Sequence, residues 1–151
     1  MHKVNILKIT KQLLRKLDAC HEQYELFVRT FPNGAEVTPE MLAKAHEVGL
    51  QVDWLAQHER LPVELLNALA GDAQWNVRYW VARHPNAPAE LLSKLAGDGN
   101  SDVRSGVAQH PNAPAELLSK LAGDGNSDVR SGVAQHPNAP AELLSKLAGD
   151  A

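Results

Sequence analysis

The chain has 151 residues, 44% of them hydrophobic, and carries 15 Lys and Arg against 18 Asp and Glu. A net charge of −3 argues against the dense basic surface that a nucleic-acid backbone requires. The single cysteine, Cys20, rules out an internal disulfide or a multi-thiolate cluster, and no apolar run approaches the roughly 18 residues of a spanning helix.

Met1 to Ile9 is mildly basic and has no uninterrupted apolar core of the kind a secretion signal carries, so the cytoplasm is the expected compartment. From Thr10, Leu13, Leu17, Cys20, Tyr24 and Phe27 follow at alternating steps of four and three, which predicts one amphipathic helix ending near Pro32. Cys20 lies in that stripe and is expected to be a small buried hydrophobe rather than a reactive thiol. Lys3, Lys8, Lys11, Arg15 and Lys16 read as a solvated basic face, with contact to anionic lipid or RNA as its alternative use. Phe31-Pro32-Asn33-Gly34 is a turn by residue type. Thr38 then caps a helix with Pro39 first, Met41, Leu42 and Ala45 inward, and Gly49 closing it. Val52 to His58 (VDWLAQH) resembles Arg78 to His84 (RYWVARH). Residues 1–36 are accordingly expected to form an N-terminal helical cap, and residues 37–57 a degenerate first repeat.

From His58 onwards a 26-residue frame takes over. Residues 58–83 are a divergent unit, 84–109 and 110–135 are letter-for-letter identical, and 136–151 begin a further copy. A fixed period of this length marks a solenoid. Within the unit, Pro88 suits a first helical position, and Leu91, Leu92, Leu95 and Ala96 form one apolar face. Gly97 is expected to supply a left-handed cap, Gly99 a turn, and Ser101 or Asp102 the next N-cap. A second short helix, Val103 to about Gln109, places Val103, Gly106 and Val107 inward and stops at Pro111. Neither helix reaches the roughly 12–15 residues that persist alone, so each must lean on its neighbours.

The segment P-x-E-L-L-x-x-L-A-x-D followed by D-V-R-x-x-V-A-x-H-P resembles the leucine-rich repeat variant family over about residues 58–151. That resemblance implies an all-α, right-handed solenoid whose units pair an α-helix with a short α- or 3₁₀-helix. It is also similar to the wider HEAT-like class, in which an Asp and the Arg of a V-R pair form a ladder between units. One branch of the variant family carries an iron–sulfur cluster; with Cys20 alone, no cofactor is expected here.

The repeated His84, His110 and His136 invite a metal reading. Stacked units lie about 8–10 Å apart, whereas ligands sharing a zinc sit about 3–4 Å apart, so each imidazole is expected to satisfy carbonyls at a helix end instead, and no metal is expected. Asp98 and Asp124 with Arg104 and Arg130 recur in identical surroundings, whereas acid–base catalysis needs groups with separated pKa values; a structural ladder is expected. With no phosphate loop, nucleophile elbow or H-E-x-x-H, the chain reads as a non-enzyme. Trp54, Trp75, Tyr79 and Trp80 all lie in the divergent units and are expected to fill the junction between cap and stack, with a partner anchor as the alternative.

These readings converge on a scaffold that binds a protein partner through a stripe on the outward side of the second helices: Tyr79 and Arg83, Ser105 and Gln109, Ser131 and Gln135. Two alternatives stand beside it. One is self-association through the C-terminal repeat; the other is nucleic-acid binding by the basic N-terminal helix.

Overall fold

A computed structural model describes residues 8–149. Lys3 of the basic group, and Asp150 and Ala151 of the terminal copy, lie outside the described residues. The chain opens with β1 (Lys8–Ile9), α1 (Lys11–Lys16), α2 (His21–Thr30), β2 (Ala35–Glu36), α3 (Pro39–Glu47) and α4 (Val52–Ala56). Four helix pairs or parts of pairs follow: α5 (Val63–Leu69) with α6 (Trp75–Arg83), α7 (Ala89–Leu95) with α8 (Ser101–Ala108), α9 (Ala115–Leu121) with α10 (Ser127–Ala134), and then α11 (Ala141–Ala148). The architecture is an all-α repeat solenoid, and the second helix of each unit is α-helical rather than 3₁₀.

The N-terminal segment departs from the expected single helix. Thr10 caps α1 by accepting from the Leu13 amide, but the helix closes after Lys16. There Asp18 takes a left-handed φ of 52°, and the Ala19 amide reaches back to Leu14 O at 3.1 Å. This is a Schellman closure with Asp, whose short polar side chain tolerates the left-handed region, in glycine's usual place. The break takes Cys20 out of the apolar stripe: it is exposed and sits at the N-cap of α2, while Leu14, Leu17 and Phe27 form the buried face. A short antiparallel ladder, Lys8 to Glu36 and Ile9 to Ala35, was not expected either. It brings the Ile9 carbonyl so close to Gly34 (φ 77°) that a Cβ there would meet the oxygen at 2.8 Å.

The helix after it forms as its residues dictate. Thr38 accepts from the Met41 amide, Pro39 is first, Met41, Leu42 and Ala45 are buried, and Gly49 at φ 85° closes the end.

In the repeats, the apolar faces pack as the spacing requires. Leu91, Leu92 and Leu95 of α7 and Leu117, Leu118 and Leu121 of α9 are all buried, as are Val103, Val107, Val129 and Val133 of the second helices. On α11 only Leu143 of the corresponding three leucines is buried, and Leu144 is 39% exposed. Three local expectations shift by a residue or a conformation. Pro88 is the extended N-cap, its carbonyl accepting the first helical bond from Leu92, and Ala89 is the first helical residue. Gly97 is not left-handed; Gly97 and Asp98 amides bond to Lys94 and Leu95 carbonyls at 3.2 and 3.0 Å, so a tightened right-handed turn absorbs the helix end. The cap of α8 is Asn100, whose side chain accepts from both Asp102 and Val103 amides, and Asn126 does the same for α10.

Second helices stack directly, α4 on α6, α6 on α8 and α8 on α10. Glycine permits this approach. A Cβ on Gly106 would stand 3.3 Å from Ala82 Cβ and from Arg83 Cγ, and one on Gly132 would stand 3.1 Å from Ala108 Cβ. Gly97 and Gly123, by contrast, have room and ordinary right-handed backbone. Replacing both by Ala is expected to stabilise the array by about 0.4–1 kcal/mol per site, since only the unfolded chain loses freedom. Gly132→Ala should instead cost about 1–3 kcal/mol through overpacking, despite the better helix former. Urea melts of the variants check both signs.

Candidate functional site

Two polar ladders position the second helices. At their C-terminal ends the His84 ring donates from Nε2 to His58 O at 2.7 Å, His110 to His84 O at 2.8 Å, and His136 to His110 O at 2.8 Å. The other ring nitrogen, Nδ1, accepts from the amide two residues on, Asn86, Asn112 or Asn138, at 3.0–3.1 Å. These contacts assign the proton to Nε2 in a buried ring. The expectation that histidine satisfies helix-end carbonyls is met, with one refinement: the carbonyl belongs to the equivalent residue one unit earlier. Among the described residues no group of three metal-binding side chains converges.

At the N-terminal ends, Arg78 Nε and Nη2 grip Asp98 at 2.7 and 3.0 Å, and Arg104 grips Asp124 at the same two distances. Nη1 of each Arg bonds back to a carbonyl of its own unit, Asp72, Asp98 or Asp124 for Arg78, Arg104 and Arg130. The Asp–Arg ladder is therefore inter-unit and bidentate, the stronger form of such a contact. Its first carboxylate, Asp72, has Val52 where the other pairings place an Arg. His46 of α3 takes the position, with Nε2 3.0 and 3.1 Å from the two Asp72 oxygens. The missing Arg was visible in the sequence; that α3 would bring its replacement was not.

Burial alone would raise the Asp98 carboxyl, but hydrogen bonds from Arg78 and the Asn100 amide, with the charges of Arg78 and Arg104, outweigh it and hold its pKa below the ordinary value of 3.8. The hydrogen bond from Arg104 is the largest influence on Asp124 and lowers it likewise, against the opposing effect of burial.

Outside these ladders runs the stripe. Gln109 Nε2 donates to Ser105 Oγ at 3.1 Å and Gln135 to Ser131 at 2.9 Å, so the i,i+4 pairs align as expected. Arg83 Nη1 bonds to Tyr79 Oη at 3.1 Å and crosses to Gln109 Oε1 at 3.3 Å. Ser105 is less outward than its spacing suggests, only 8% exposed beneath Gln109, while Ser131 is open. Ser105, Gln109, Ser131 and Gln135 line an open polar groove floored by Gly132 and edged by Asp128, which sequence reasoning did not include. Of the aromatics, Trp54, Tyr79 and Trp80 pack partly buried against the core, in keeping with a junction role. Trp75 does not: it is 46% exposed. It occupies the first position of α6, which faces solvent, as Ser101 and Ser127 show by replacing it.

Compared with known families, residues 75–100, 102–126 and 128–151 match the leucine rich repeat variant family. Residues 75–151 belong to that family. The leucine rich repeat variant units are HEAT-like, and their kind is a repeat scaffold for interactions. Residues 1–56 match a second family, described as the YdhT N-terminal domain, which is similar to the whole segment ahead of the stack. No curated protein and no solved structure matches the chain. Among the described residues no helix is long and apolar enough to cross a membrane.

His110→Leu removes the donor to His84 O in the interior and the acceptor for the partly buried Asn112 amide. At about 1–3 kcal/mol for the orphaned interior carbonyl, the variant should lose at least about 1 kcal/mol. Hydrogen exchange at the Asn112 amide should accelerate with it. The Asp98 and Asp124 carboxyls, depressed in the folded state, contribute stability that is complete above the unfolded value and lost as pH falls through the folded one. Wild type should therefore lose Tm steeply below about pH 4, and Asp98→Asn with Asp124→Asn should start lower and flatten the slope. Melting curves from pH 7 to pH 2 check this.

Proposed function

We propose that the chain is a non-enzymatic scaffold that holds a protein partner along the ridge of second helices, through Tyr79, Arg83, Ser105, Gln109, Ser131 and Gln135. The observation that carries the reading is the cross-unit bond from Arg83 to Gln109: side chains one repeat apart touch on the outside of the array, so the stripe is one continuous surface. Its glutamines and serines offer both donors and acceptors to a polypeptide backbone. The two identical units form one open polar groove between their second helices, and its repeated Ser and Gln positions suit a partner that is extended or itself repetitive. In this proposal residues 1–36 act as the cap and residues 37–57 as a degenerate first repeat. Support comes from α4 stacking on α6 as α6 does on α8, and from His46 completing the Asp72 end of the ladder.

A photo-cross-linking residue in place of Gln109 or Gln135 should capture the same partner from cells, while one in place of Ser93 or Ser119, exposed on the first helices, should capture none. Equal capture from both sets would remove the ridge from consideration. Cross-links to a second copy of this chain, from either set, would instead favour self-association, for which the exposed Leu144 of α11 provides an apolar contact.

A further inference from the structure

Among the differences between the divergent unit and the identical copies, the largest changes in side chain fall on α6. Val77, Arg78, Val81 and Ala82 of the divergent unit recur unchanged in both identical copies. The outward positions of α6 do not: Trp75, Tyr79 and Arg83 stand where α8 has Ser101, Ser105 and Gln109. These three side chains form an assembled group. The Trp75 and Tyr79 rings meet edge-on with centroids 6.4 Å apart, and Tyr79 meets Trp80 in the same way at 5.2 Å. The Arg83 guanidinium lies 5.7 Å from the Tyr79 ring centre, and both its hydrogen bonds within the chain, to Tyr79 Oη and Gln109 Oε1, use Nη1.

The ladder arginines show what that arrangement is suited to. Arg78 and Arg104 also have Nη1 anchored on neutral oxygen, and each turns its Nε and Nη2 edge to a carboxylate. Arg83 repeats the anchoring, yet no carboxylate of the described residues comes within 4.0 Å of it. Arg83 is exposed, and its Nε and Nη2, the fork that matches a carboxylate, have no hydrogen-bond acceptor among the described residues; Tyr79 lies between it and the exposed indole of Trp75.

We propose that this group is the recognition end of the stripe and binds an extended acidic peptide, with a carboxylate on the outer edge of Arg83 and a neighbouring aromatic or aliphatic side chain against Trp75 and Tyr79. The inference rests on the ridge being the partner surface and names the chemistry of what it takes. Charge selects peptide over nucleic acid. Beyond Arg83 the ridge passes the exposed Asp102 and Asp128, which would repel a phosphodiester chain charged at every step, whereas a peptide can confine its carboxylate to the Arg83 end and meet Gln109 and Gln135 by neutral backbone hydrogen bonds. Trp, Tyr and Arg are also the residue types most enriched among those that carry binding energy at protein surfaces.

A phage-displayed random dodecapeptide library selected on the full chain tests this. Enriched sequences should place Asp or Glu within a few residues of Phe, Trp or Leu. A synthetic peptide from the enriched set should weaken about tenfold on Arg83→Gln, as loss of a charge-assisted contact implies, and by a similar factor on Trp75→Ala. Both side chains are exposed, so neither variant should alter the far-UV circular dichroism or Tm appreciably. Its Glu→Gln counterpart should bind wild type and Arg83→Gln alike. Failure to enrich acidic sequences, indifference to Arg83→Gln, or tighter binding of a dodecathymidylate overturns the proposal. Neutral peptides that depend on Gln109 and Gln135 but not on Arg83 would overturn this inference and leave the ridge reading standing.

Discussion

The close approach of one second helix to the next is the constraint on which the rest of the molecule depends. Helices of seven or eight residues, such as α7 and α8, cannot hold their own backbone hydrogen bonds in water. They persist because Gly106 and Gly132 let adjacent second helices come within contact of each other's Ala Cβ, and that approach is what brings His110 Nε2 to His84 O and Arg104 to Asp124. With a larger side chain at Gly132 the helices would separate. Inter-unit hydrogen bonds, which tolerate only a few tenths of an ångström, would lengthen with them.

Apolar burial and polar bonding divide the work. Leucines and valines supply most of the driving force, but it is non-directional, and identical faces could pack in shifted registers. The two ladders remove that freedom from opposite ends of the second helix. His84, His110 and His136 fix one end and the Asp–Arg pairs the other, so each unit is held at two points relative to its neighbour. A buried polar contact that specifies register is known from coiled coils, where one buried Asn selects a single alignment.

Most of this frame was legible because periodicity reports it. The two-helix unit, its inward Leu and Val positions and the helix-end histidines follow from spacing, and the inter-unit Asp–Arg pairing was implied by the resemblance to HEAT-like units. What was not legible lies where two local choices differ by little in energy. Asn100, Ser101 and Asp102 are all good caps, and only the bonds to Asp102 and Val103 amides decide for Asn100. Gly97 could have closed its helix left-handed, but the right-handed turn feeds Asp98 into reach of Arg78. The break at Asp18 was hidden because Leu13, Leu17, Cys20, Tyr24 and Phe27 keep helical spacing straight through it. Hydrophobic spacing carries no information about a single left-handed residue. The exposed Cys20 and Trp75 were misplaced by the same kind of reasoning, which treated position on a pattern as equivalent to burial.

Function has to be sought where the units stop being the same. Identical copies present identical surfaces, so on their own they can distinguish partners only by how many levels are occupied. A unique address needs an element that breaks the translation, and α6 is that element: it keeps the ladder residue Arg78 and the core residues Val77, Val81 and Ala82, but changes the outward positions and carries Trp80 where later units have glycine. Trp75, Tyr79 and Arg83 are large; Tyr79 and Arg83 also pack over Gly106 of the next unit, but Trp75 and Arg83 stay exposed, unlike Val77 and Val81, which are fully buried. They lie in the first of the leucine rich repeat variant matches, so in the proposed mode a ligand would meet this distinctive contact at one end of the stripe and the polar groove beyond it. If the ridge is the partner surface, specificity and reach are separable: α6 would set what is bound, and the number of copies after it would set how much of the bound chain is held.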